Sequence, residues 1–389
     1  MTAKDHGYGP EEEAQFLEAI RRWTERELKP RVKAFDHADR YPTEIVEQMK
    51  EMGLFGATVS QEYGGLGLPA RIYAQVVMEI SSVWMAITGI FNSHLMLALA
   101  VEKFGTPAQK STWLPKFASG EIRGGLALTE PDAGTDLQGI RMTARRDGDD
   151  YVINGTKTWI SNGLEGSAVA LLVKTDPNVE PRYKGMSLFI APKKEGFTAS
   201  KRIEKLGYKC IDSAELVFQD YRLSKDHLIG GVEGQGFFQA TGGLELGRIN
   251  VAARGVGLAE GALRLASDYA QIRKTFGKPI CEHQAIQLKL GEMVTRARAA
   301  RLLTLDAAEA FDRGDRCDME AGMAKYFASE AALENSTEAM RIHGGYGYSK
   351  EFDIERFYRD SPLTCIGEGT NEMQRMIIAR QWVKRHSIA

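Results

Sequence analysis

Cysteine is scarce in this sequence, and so is any excess of charge of one sign. Four cysteines occur among 389 residues, and their spacing matches neither a zinc-ligand motif nor a disulfide framework. They are Cys210, Cys281, Cys317 and Cys365. We therefore expect no metal site and a reduced, cytoplasmic location. The formal net charge of −2 gives no reason to expect a nucleic acid or an anionic membrane as a partner.

Signals for targeting and for phosphate binding are missing as well. Residues 1–15 contain no basic segment followed by an apolar one, which argues against a secretory signal. The most apolar stretch, Ala86 to Val101, is broken by three polar residues and is shorter than the roughly 20 residues that span a bilayer. It predicts a buried helix rather than membrane insertion. Neither a P-loop motif nor a G-x-G-x-x-G between a strand and a helix occurs, so a Rossmann dinucleotide site is not supported.

Hydrophobic periodicity divides the chain into three parts. Residues 1–123 place apolar side chains at helical spacing, which predicts an α-helical N-terminal domain. Residues 124–236 show short extended runs and tight-turn signals such as Asn154-Gly155, which predict a middle β domain of sandwich or barrel-like form. The helical period returns in residues 237–389 and predicts a helical C-terminal domain. The expected fold class is therefore α+β with several domains.

One glutamate stands out because glycines flank it. Asn371 and Gln374 resemble a capping box, so a helix is predicted to begin at Asn371, just after Glu368. Gly367 and Gly369 let the backbone approach a ligand closely. Desolvation would raise the pKa of a carboxyl group held in this way, while the helix dipole opposes the rise, and the result suits a general base. The alternative is a glycine-rich turn between helices with a solvated glutamate.

Two further segments carry polar groups that suit a cofactor. Leu128 to Asp136 and Trp159 to Gly163 combine hydroxyls, backbone amides and one large ring, which suit a planar heterocycle; they equally suit plain turns. Arg273 opens a basic loop and suits a pyrophosphate, although it also suits the C-terminus of a helix as a simple countercharge. His343 is more typical of a packing residue than of a base.

Taken together, five segments in this order resemble the acyl-CoA dehydrogenase family, and the resemblance extends from about residue 10 to residue 385. They are LTEPDAGTD (128–136), NGTKTWISNG (154–163), RKTFGKPICEHQAIQ (273–287), RIHGGYGY (341–348) and GEGTNEMQR (367–375). The resemblance implies a helical domain, a β domain and a C-terminal four-helix bundle, assembled as a homotetramer. It further implies FAD as cofactor, a saturated acyl-CoA as substrate, a trans-2-enoyl-CoA as product and an electron-transfer flavoprotein as redox partner.

The resemblance also assigns roles to individual residues, with Glu368 as the catalytic base. The residues that would line the flavin are Leu126, Leu128, Thr129, Gly134, Thr135, Trp159, Ile160 and Ser161. Those that would hold the rest of FAD are Arg273, Thr275, Phe276 and Gln284, with Arg341, Gly344 and Gly345 across a subunit contact and Thr370 and Asn371 closing over the cofactor. The residues that would lie at the substrate are Thr135, Glu245, Arg248 and Gly369.

Four positions depart from patterns found in the family. Some members draw their base from another helix, where the matching residue here is Gly247, two residues past Glu245, and this favours the glycine-flanked glutamate. Gly367 stands where many members have an aromatic residue, which predicts a roomier pocket. Arg341 replaces a frequent glutamine and leaves that FAD contact open. Glutaryl-CoA dehydrogenases hold a distal carboxylate with an arginine where this chain has Met85, so an uncharged, short or medium acyl chain with room for a branch is expected.

Two alternatives to a dehydrogenase remain open at this point. An acyl-CoA oxidase, or another flavoenzyme on the same fold, would pass its electrons to oxygen. A non-enzymatic homologue that binds nucleic acid should display a basic stripe, and the net charge of −2 disfavours it.

Overall fold

The computed structural model describes residues 8–387, so residues 1–7, on which part of the leader interpretation rests, lie outside the described chain. The first third is helical. Its helices are α1 (Pro10–Trp23), α2 (Val32–Ala38), α3 (Thr43–Glu51), α4 (Ala70–Phe104) and α5 (Pro107–Ala118). Local chemistry sets some of their ends: α5 begins with a capping box, in which Thr106 Oγ1 accepts from the backbone N–H of Gln109 (3.2 Å) and the Gln109 side chain accepts from Thr106 N–H (3.0 Å).

Helix α4 forms the centre of this part. The predicted buried helix, Ala86 to Val101, lies within it, and Trp84 interrupts its regular geometry at φ −148° and ψ 88°. The helix is long and apolar enough to cross a membrane, but 89% of its most apolar window is buried inside the protein. Its apolar character therefore serves the protein core, as the sequence predicted.

The middle part is one curled sheet of seven strands in the described residues. The strands are β1 (Gly124–Ala127), β2 (Thr143–Asp147), β3 (Asp150–Ser161), β4 (Ala168–Lys174), β5 (Met186–Pro192), β6 (Phe197–Arg202) and β7 (Ser213–Ser224). Their order is β1-β4-β2-β3-β7-β6, with β5 paired to β4, and β1 and β4 run parallel. The register of β3 against β7 breaks between Lys157 and Ile160, and this irregularity turns the residues between them out of the ladder.

The chain then returns to helices. They are α6 (Gly236–Thr241), α7 (Leu244–Ile272), α8 (Gln284–Asp312), α9 (Asp318–His343), α10 (Ile354–Ile366) and α11 (Asn371–Arg385), with a small hairpin of β8 (Lys274–Thr275) and β9 (Lys278–Pro279) before α8. Helix α7 packs against α4, α8, α9 and α10, and α11 lies against α9. The succession of helices, sheet and helices confirms the predicted fold class.

Small residues let α7 approach its neighbours closely. A Cβ added at Gly257 would lie 2.5 Å from the carbonyl oxygen of Met78 on α4. A Cβ added at Gly255 would lie 2.6 Å from the carbonyl oxygen of Ala328 on α9. Both contacts are with backbone atoms, which cannot swing aside. The distances from α7 to α4 and from α7 to α9 therefore depend on glycine at these two positions.

We predict that Gly257→Ala destabilises the protein although alanine is the better helix former. Overpacking against the α4 backbone should lower the free energy of unfolding by about 2 kcal/mol. The matched control is Gly291→Ala on α8, where an added Cβ meets no described atom within 4 Å. That change should raise the free energy of unfolding by about 0.5–1 kcal/mol. Urea unfolding measures both, and equal effects at the two sites would contradict the packing argument.

Candidate active site

The turn between α10 and α11 positions Glu368. Gly367 N–H donates to the Leu363 carbonyl (2.9 Å) and closes α10, after which Glu368 and Gly369 adopt φ of 56° and 86°. A left-handed φ is uncommon for a residue with a side chain and is retained where the surroundings hold it. Gly369 itself is exposed. The turn thus directs the Glu368 side chain inward from between two helices.

The predicted capping pair at this turn was wrong by one residue. Thr370, not Asn371, is the N-cap of α11, and its Oγ1 accepts from Met373 N–H (3.4 Å). Gln374 does not complete a capping box: its Nε2 lies 3.1 Å from the carbonyl oxygen of Gly369 and 3.4 Å from that of Glu368. Because Thr370 caps the helix, the side chain of Asn371 can form hydrogen bonds elsewhere.

Asn371 fastens the turn to α9. Its Oδ1 accepts from Lys325 Nζ (2.8 Å) and Ser329 Oγ (3.0 Å), and its Nδ2 donates to Glu330 (2.7 Å). Lys325 also donates to the carbonyl of Cys365 (3.2 Å), and burial lowers the pKa of this lysine to about 8. These contacts use the buried Asn371 amide, so a cofactor contact at this position falls to its backbone. The sequence did not reveal Lys325, because its partners Cys365 and Asn371 lie 40 and 46 residues away along the chain.

The Glu368 carboxylate faces α7 at Gly247. A Cβ added at Gly247 would lie 3.1 Å from Glu368 Oε2 and 3.6 Å from Met96 Cε. The missing side chain at this position is therefore what makes room for the carboxylate. Glu245, the other acid considered, has Asp318, Arg248 and Lys103 as its charged neighbours, and burial raises its pKa. Gly247 is the position where sequence comparison had placed the base of other family members.

The surroundings of the Glu368 carboxylate raise its pKa but give it no ion-pair partner among the described residues. Burial raises its pKa above the ordinary 4.5, and the positive charges of Arg254, Arg248 and Lys325, in that order, oppose the rise. Within residues 8–387, no group donates a hydrogen bond to this carboxylate. Arg248, predicted to face the acyl-CoA, is buried and its Nε and Nη1 have no described partner. A carboxylate with a raised pKa and no donor attached is suited to accept a proton.

The two predicted flavin-lining segments are tied together by a buried ion pair. Lys157 Nζ donates to Glu130 (2.8 Å) and to the Leu128 carbonyl (2.9 Å). Glu130 also accepts from the backbone N–H groups of Arg141 (2.6 Å) and Met142 (3.1 Å). The pair holds the loop after β1 against β3. Both residues lie in the motifs LTEPDAGTD and NGTKTWISNG, but no local pattern in the sequence indicates that they pair.

Asn162 is a second supporting residue that the sequence did not reveal. It is buried, and its Nδ2 donates to the carbonyls of Ile90 on α4 and Gly124 on β1, both at 2.8 Å. The side chain therefore joins the sheet to the central helix beside Ser161. In the sequence, Asn162 before Gly163 cannot be distinguished from an ordinary turn former, and its φ of 58° in the structure is typical of such a turn.

The exposed groups on these segments suit a flavin. Trp159 has φ 61° and is 59% exposed, so the irregular stretch of β3 presents its ring outward. Ser161 and Thr129 are half-buried nearby in sequence, and Thr129 accepts from Thr158 N–H through its carbonyl (2.9 Å). An open aromatic face with hydroxyl groups is the donor set that a planar, polar ring system needs. The residues present therefore fit the isoalloxazine part of FAD.

The remaining predicted residues lie in two groups. On the flavin side, Leu126 and Leu128 are half-buried, Ile160 is buried, and Gly134 and Thr135 are exposed. Those assigned to the rest of FAD lie at the molecular surface, and they are Arg273, Thr275, Phe276, Gln284, Arg341, Gly344 and Gly345. Phe276 is 97% exposed and has a φ of 50°. An aromatic ring this exposed is typical of a surface that binds another molecule.

His343 is a packing residue, in line with the simpler of its two interpretations. Its ring stacks on Tyr269 at a centroid distance of 4.3 Å, and its Nδ1 lies 2.7 Å from the Ala339 carbonyl oxygen. Burial lowers its pKa. The geometry gives it no part in the chemistry around Glu368.

Three family models together match nearly the whole chain. The acyl-CoA dehydrogenase N-terminal domain matches residues 10–121, the middle domain matches 125–221, and the C-terminal domain matches 234–383. Among curated proteins, the mitochondrial short-chain specific acyl-CoA dehydrogenase of Bos taurus is 41% identical over 381 residues, covering 97% of this chain and 91% of that protein.

Solved structures agree with these matches. Butyryl-CoA dehydrogenase from Megasphaera elsdenii superposes with a TM-score of 0.92 at 35% identity, covering 95% of this chain and 98% of that chain. A chain solved in work on the electron transferring flavoprotein of Acidaminococcus fermentans gives a TM-score of 0.93 at 36% identity, with 97% of this chain and 99% of that chain covered.

We predict that Glu130→Ala strongly destabilises the protein. It leaves the Lys157 ammonium buried without its anion and two backbone N–H groups without an acceptor, which should cost about 3–5 kcal/mol in free energy of unfolding. Asp149→Ala is the control, since it breaks an exposed ion pair with Lys225 (2.8 Å) and should leave the unfolding midpoint unchanged. Chemical denaturation compares the two; a Glu130 variant as stable as the Asp149 variant would contradict the role of the buried pair.

Proposed function

The chain belongs to the acyl-CoA dehydrogenase family, whose members are FAD-dependent enzymes, and from this we propose that it oxidises a short- or medium-chain saturated acyl-CoA. The product is the trans-2-enoyl-CoA, and Glu368 is the base. The observation that carries the proposal is the Glu368 carboxylate itself, which lies against Gly247 with a raised pKa and no described hydrogen-bond donor.

Glu368 acts at the α-carbon of the thioester. Its carboxylate accepts the α-proton, and its raised pKa brings its proton affinity closer to that of the very weak carbon acid. FAD, when bound, supplies the acceptor for the hydride that leaves the β-carbon. Gly367, where many family members have an aromatic side chain, supports an acyl chain with room for a branch near the α-carbon.

The backbone beside the base supplies the second element of the reaction. The α-proton becomes acidic only if negative charge on the thioester oxygen is stabilised, and a fixed N–H group does this well. In the described part of the chain no carbonyl accepts from the Glu368 N–H. This free N–H is therefore the group that we assign to the thioester carbonyl.

An apolar cleft supports a thioester as the ligand. It is narrow and lies between α4, β1 and α6. Its lining residues are Met96, Leu99, Ala100, Phe104, Leu126, Gln239, Ala240 and Gly243. Met96 also borders Gly247, so the cleft leads to the Glu368 carboxylate. Its largely apolar walls suit the arm that carries the thioester to the base.

The relatives support the remaining parts of the proposal. The bovine protein is named as specific for short chains, and the M. elsdenii structure is a butyryl-CoA dehydrogenase, which supports a short acyl group. The A. fermentans comparison supports an electron-transfer flavoprotein as the electron acceptor. Exposed apolar side chains in the C-terminal part of the chain, Ile272, Phe276 and Leu288, support assembly into a homotetramer.

We predict that Glu368→Gln binds FAD normally but is no longer reduced by acyl-CoA. Removing the base should slow anaerobic bleaching of the flavin by butyryl-CoA by roughly 10⁴-fold. Glu245→Gln is the control and should bleach within a few-fold of the native rate. Full activity in the Glu368 variant together with loss in the Glu245 variant would move the base to α7.

The pH dependence follows from the direction of the Glu368 shift. Only the ionised carboxylate accepts a proton, so kcat/KM should increase as the pH rises through its pKa. Because burial raises that pKa, the acidic limb should lie above pH 4.5. Rates measured with an artificial acceptor across the acidic range test this, and a limb at or below 4.5 would show that the carboxylate is solvated.

Electron acceptor use separates a dehydrogenase from an oxidase on the same fold. We expect turnover with an artificial one-electron acceptor to exceed turnover with dissolved oxygen. The measurement compares acyl-CoA consumption under both conditions with the same enzyme and substrate. Equal or faster turnover with oxygen would favour the oxidase.

A further inference from the structure

Helix α7 carries a buried arginine that the mechanism above does not use. Arg254 is only 6% exposed, and its Nη1 donates to the hydroxyl of Tyr208 (3.2 Å). Its Nε and Nη2 are buried and have no partner within residues 8–387. No described carboxylate forms an ion pair with it. A guanidinium cannot lose its charge in a protein, so this is a buried cation with unsatisfied donors.

The position of Arg254 on α7 places it beyond the base. It follows Gly247 by seven residues, which is about two helical turns, so both lie on the same face and their Cα atoms are separated by about 10 Å along the axis. Side chains on a helix lean toward its N-terminus, so Arg254 leans toward the Glu368 carboxylate. In agreement, Arg254 is the cation that lowers the pKa of Glu368 most. The apolar cleft adjoins Gly243, on the opposite side of Gly247 along the same helix.

Two tyrosine hydroxyls lie in the same region as Arg254, and they differ in their hydrogen bonds. The Tyr208 oxygen accepts from Arg254, and its own hydroxyl proton has no described acceptor. This hydroxyl would lie 1.5 Å from a Cβ at Gly89, so α4 accommodates Tyr208 only because glycine stands there. Tyr73, one helix away, has a hydroxyl that is already paired with Asn92 (3.1 Å). Arg254 and Tyr208 therefore both have unpaired donors, as does Arg248 earlier on α7.

Arg254 has no hydrogen-bonded anion among the described residues. Arg248 also faces Glu245, and Lys325 also faces Glu330 and Glu372. Arg254 acts on Glu368, but no described hydrogen bond joins the two. An unpaired buried cation is costly, and a carboxylate from a ligand would satisfy it through two parallel N–H bonds. A ligand carboxylate at the end of the acyl site opposite to the thioester would supply the partner that Arg254 lacks.

We propose that Arg254 and Tyr208 bind a carboxylate at the distal end of the acyl group, so that the substrate is a short dicarboxylyl-CoA. The inference rests on the proposed function and specifies its substrate class. The reaction is unchanged: the α-proton passes to Glu368, the β-hydrogen leaves with its electron pair to the oxidised flavin, and the distal carboxylate is retained in the enoyl-CoA product.

This assignment differs from the expectation of an uncharged acyl chain, which rested on Met85 alone. Met85 is buried on α4 and supplies no charge. The cation in this chain comes instead from Arg254 on α7. The expectation based on Met85 considered only α4. The same selectivity for an anionic tail is thus built from a different helix.

The test compares acyl-CoA pairs of equal chain length on the holoenzyme. Anaerobic flavin bleaching is measured with succinyl-CoA against butyryl-CoA and with glutaryl-CoA against pentanoyl-CoA. At least one dicarboxylyl-CoA should reduce the flavin of the native enzyme with a higher second-order rate constant than its uncharged counterpart does. Arg254→Met should lose about 100-fold on that dicarboxylyl-CoA and change only a few-fold on the counterpart. Arg254→Lys, which keeps the charge without the planar fork, should fall between them.

Binding without turnover supplies an independent measurement. In a Glu368→Gln background, calorimetry should show that adding Arg254→Met weakens the dicarboxylyl-CoA about 100-fold and leaves its counterpart unchanged. Faster bleaching of the native enzyme by both uncharged substrates would overturn the proposal while leaving the dehydrogenase function intact. An equal loss on both substrate classes in Arg254→Met would also overturn it and make Arg254 a residue that positions Glu368. Failure of every acyl-CoA to bleach the flavin would instead contradict the proposed function.

Discussion

The structure depends on one half-buried carboxylate, that of Glu368, which has no hydrogen-bond donor among the described residues. Glu368 lies at a turn with a left-handed backbone, against the bare backbone of Gly247. A solvated glutamate at this place would be too weak a base, and a paired one would be neutralised. Two features prevent both outcomes: α7 lacks a side chain where the carboxylate lies, and the turn is held by residues that do not touch the carboxylate.

The supporting contacts reach across the chain. Asn371 ties the turn to α9 through Lys325 and Ser329. Gly257 and Gly255 bring α7 close to α4 and α9, so the wall opposite the base is rigid. On the other side, the buried pair of Glu130 and Lys157 fixes the loop that we assign to the flavin. The base and the cofactor segments thus belong to different parts of the chain, and the contacts between α4, α7 and the sheet set their separation.

Sequence alone predicted the elements whose signals are local. The change from helical to extended periodicity predicted the order of helices and sheet, and the glycines around Glu368 drew attention to the residue that we propose as the base. The N-cap of α11 was misplaced because Thr370 and Asn371 both suit a cap, and only the tertiary bonds of Asn371 decide between them. The role of Arg254 was missed for a related reason: it lies in a run of small and apolar residues on α7, and its significance depends on which partners it lacks.

The central claim is that a carboxylate at one point in space removes the α-proton, whichever helix carries it. The most direct test is anaerobic flavin bleaching by butyryl-CoA in Glu368→Gly and in Glu368→Gly combined with Gly247→Glu. A built Cβ at Gly247 lies 3.1 Å from Glu368 Oε2, so a glutamate placed there reaches the same space. We predict that the single variant is inert and that the double variant regains measurable bleaching. Native bleaching by the single variant would contradict the account.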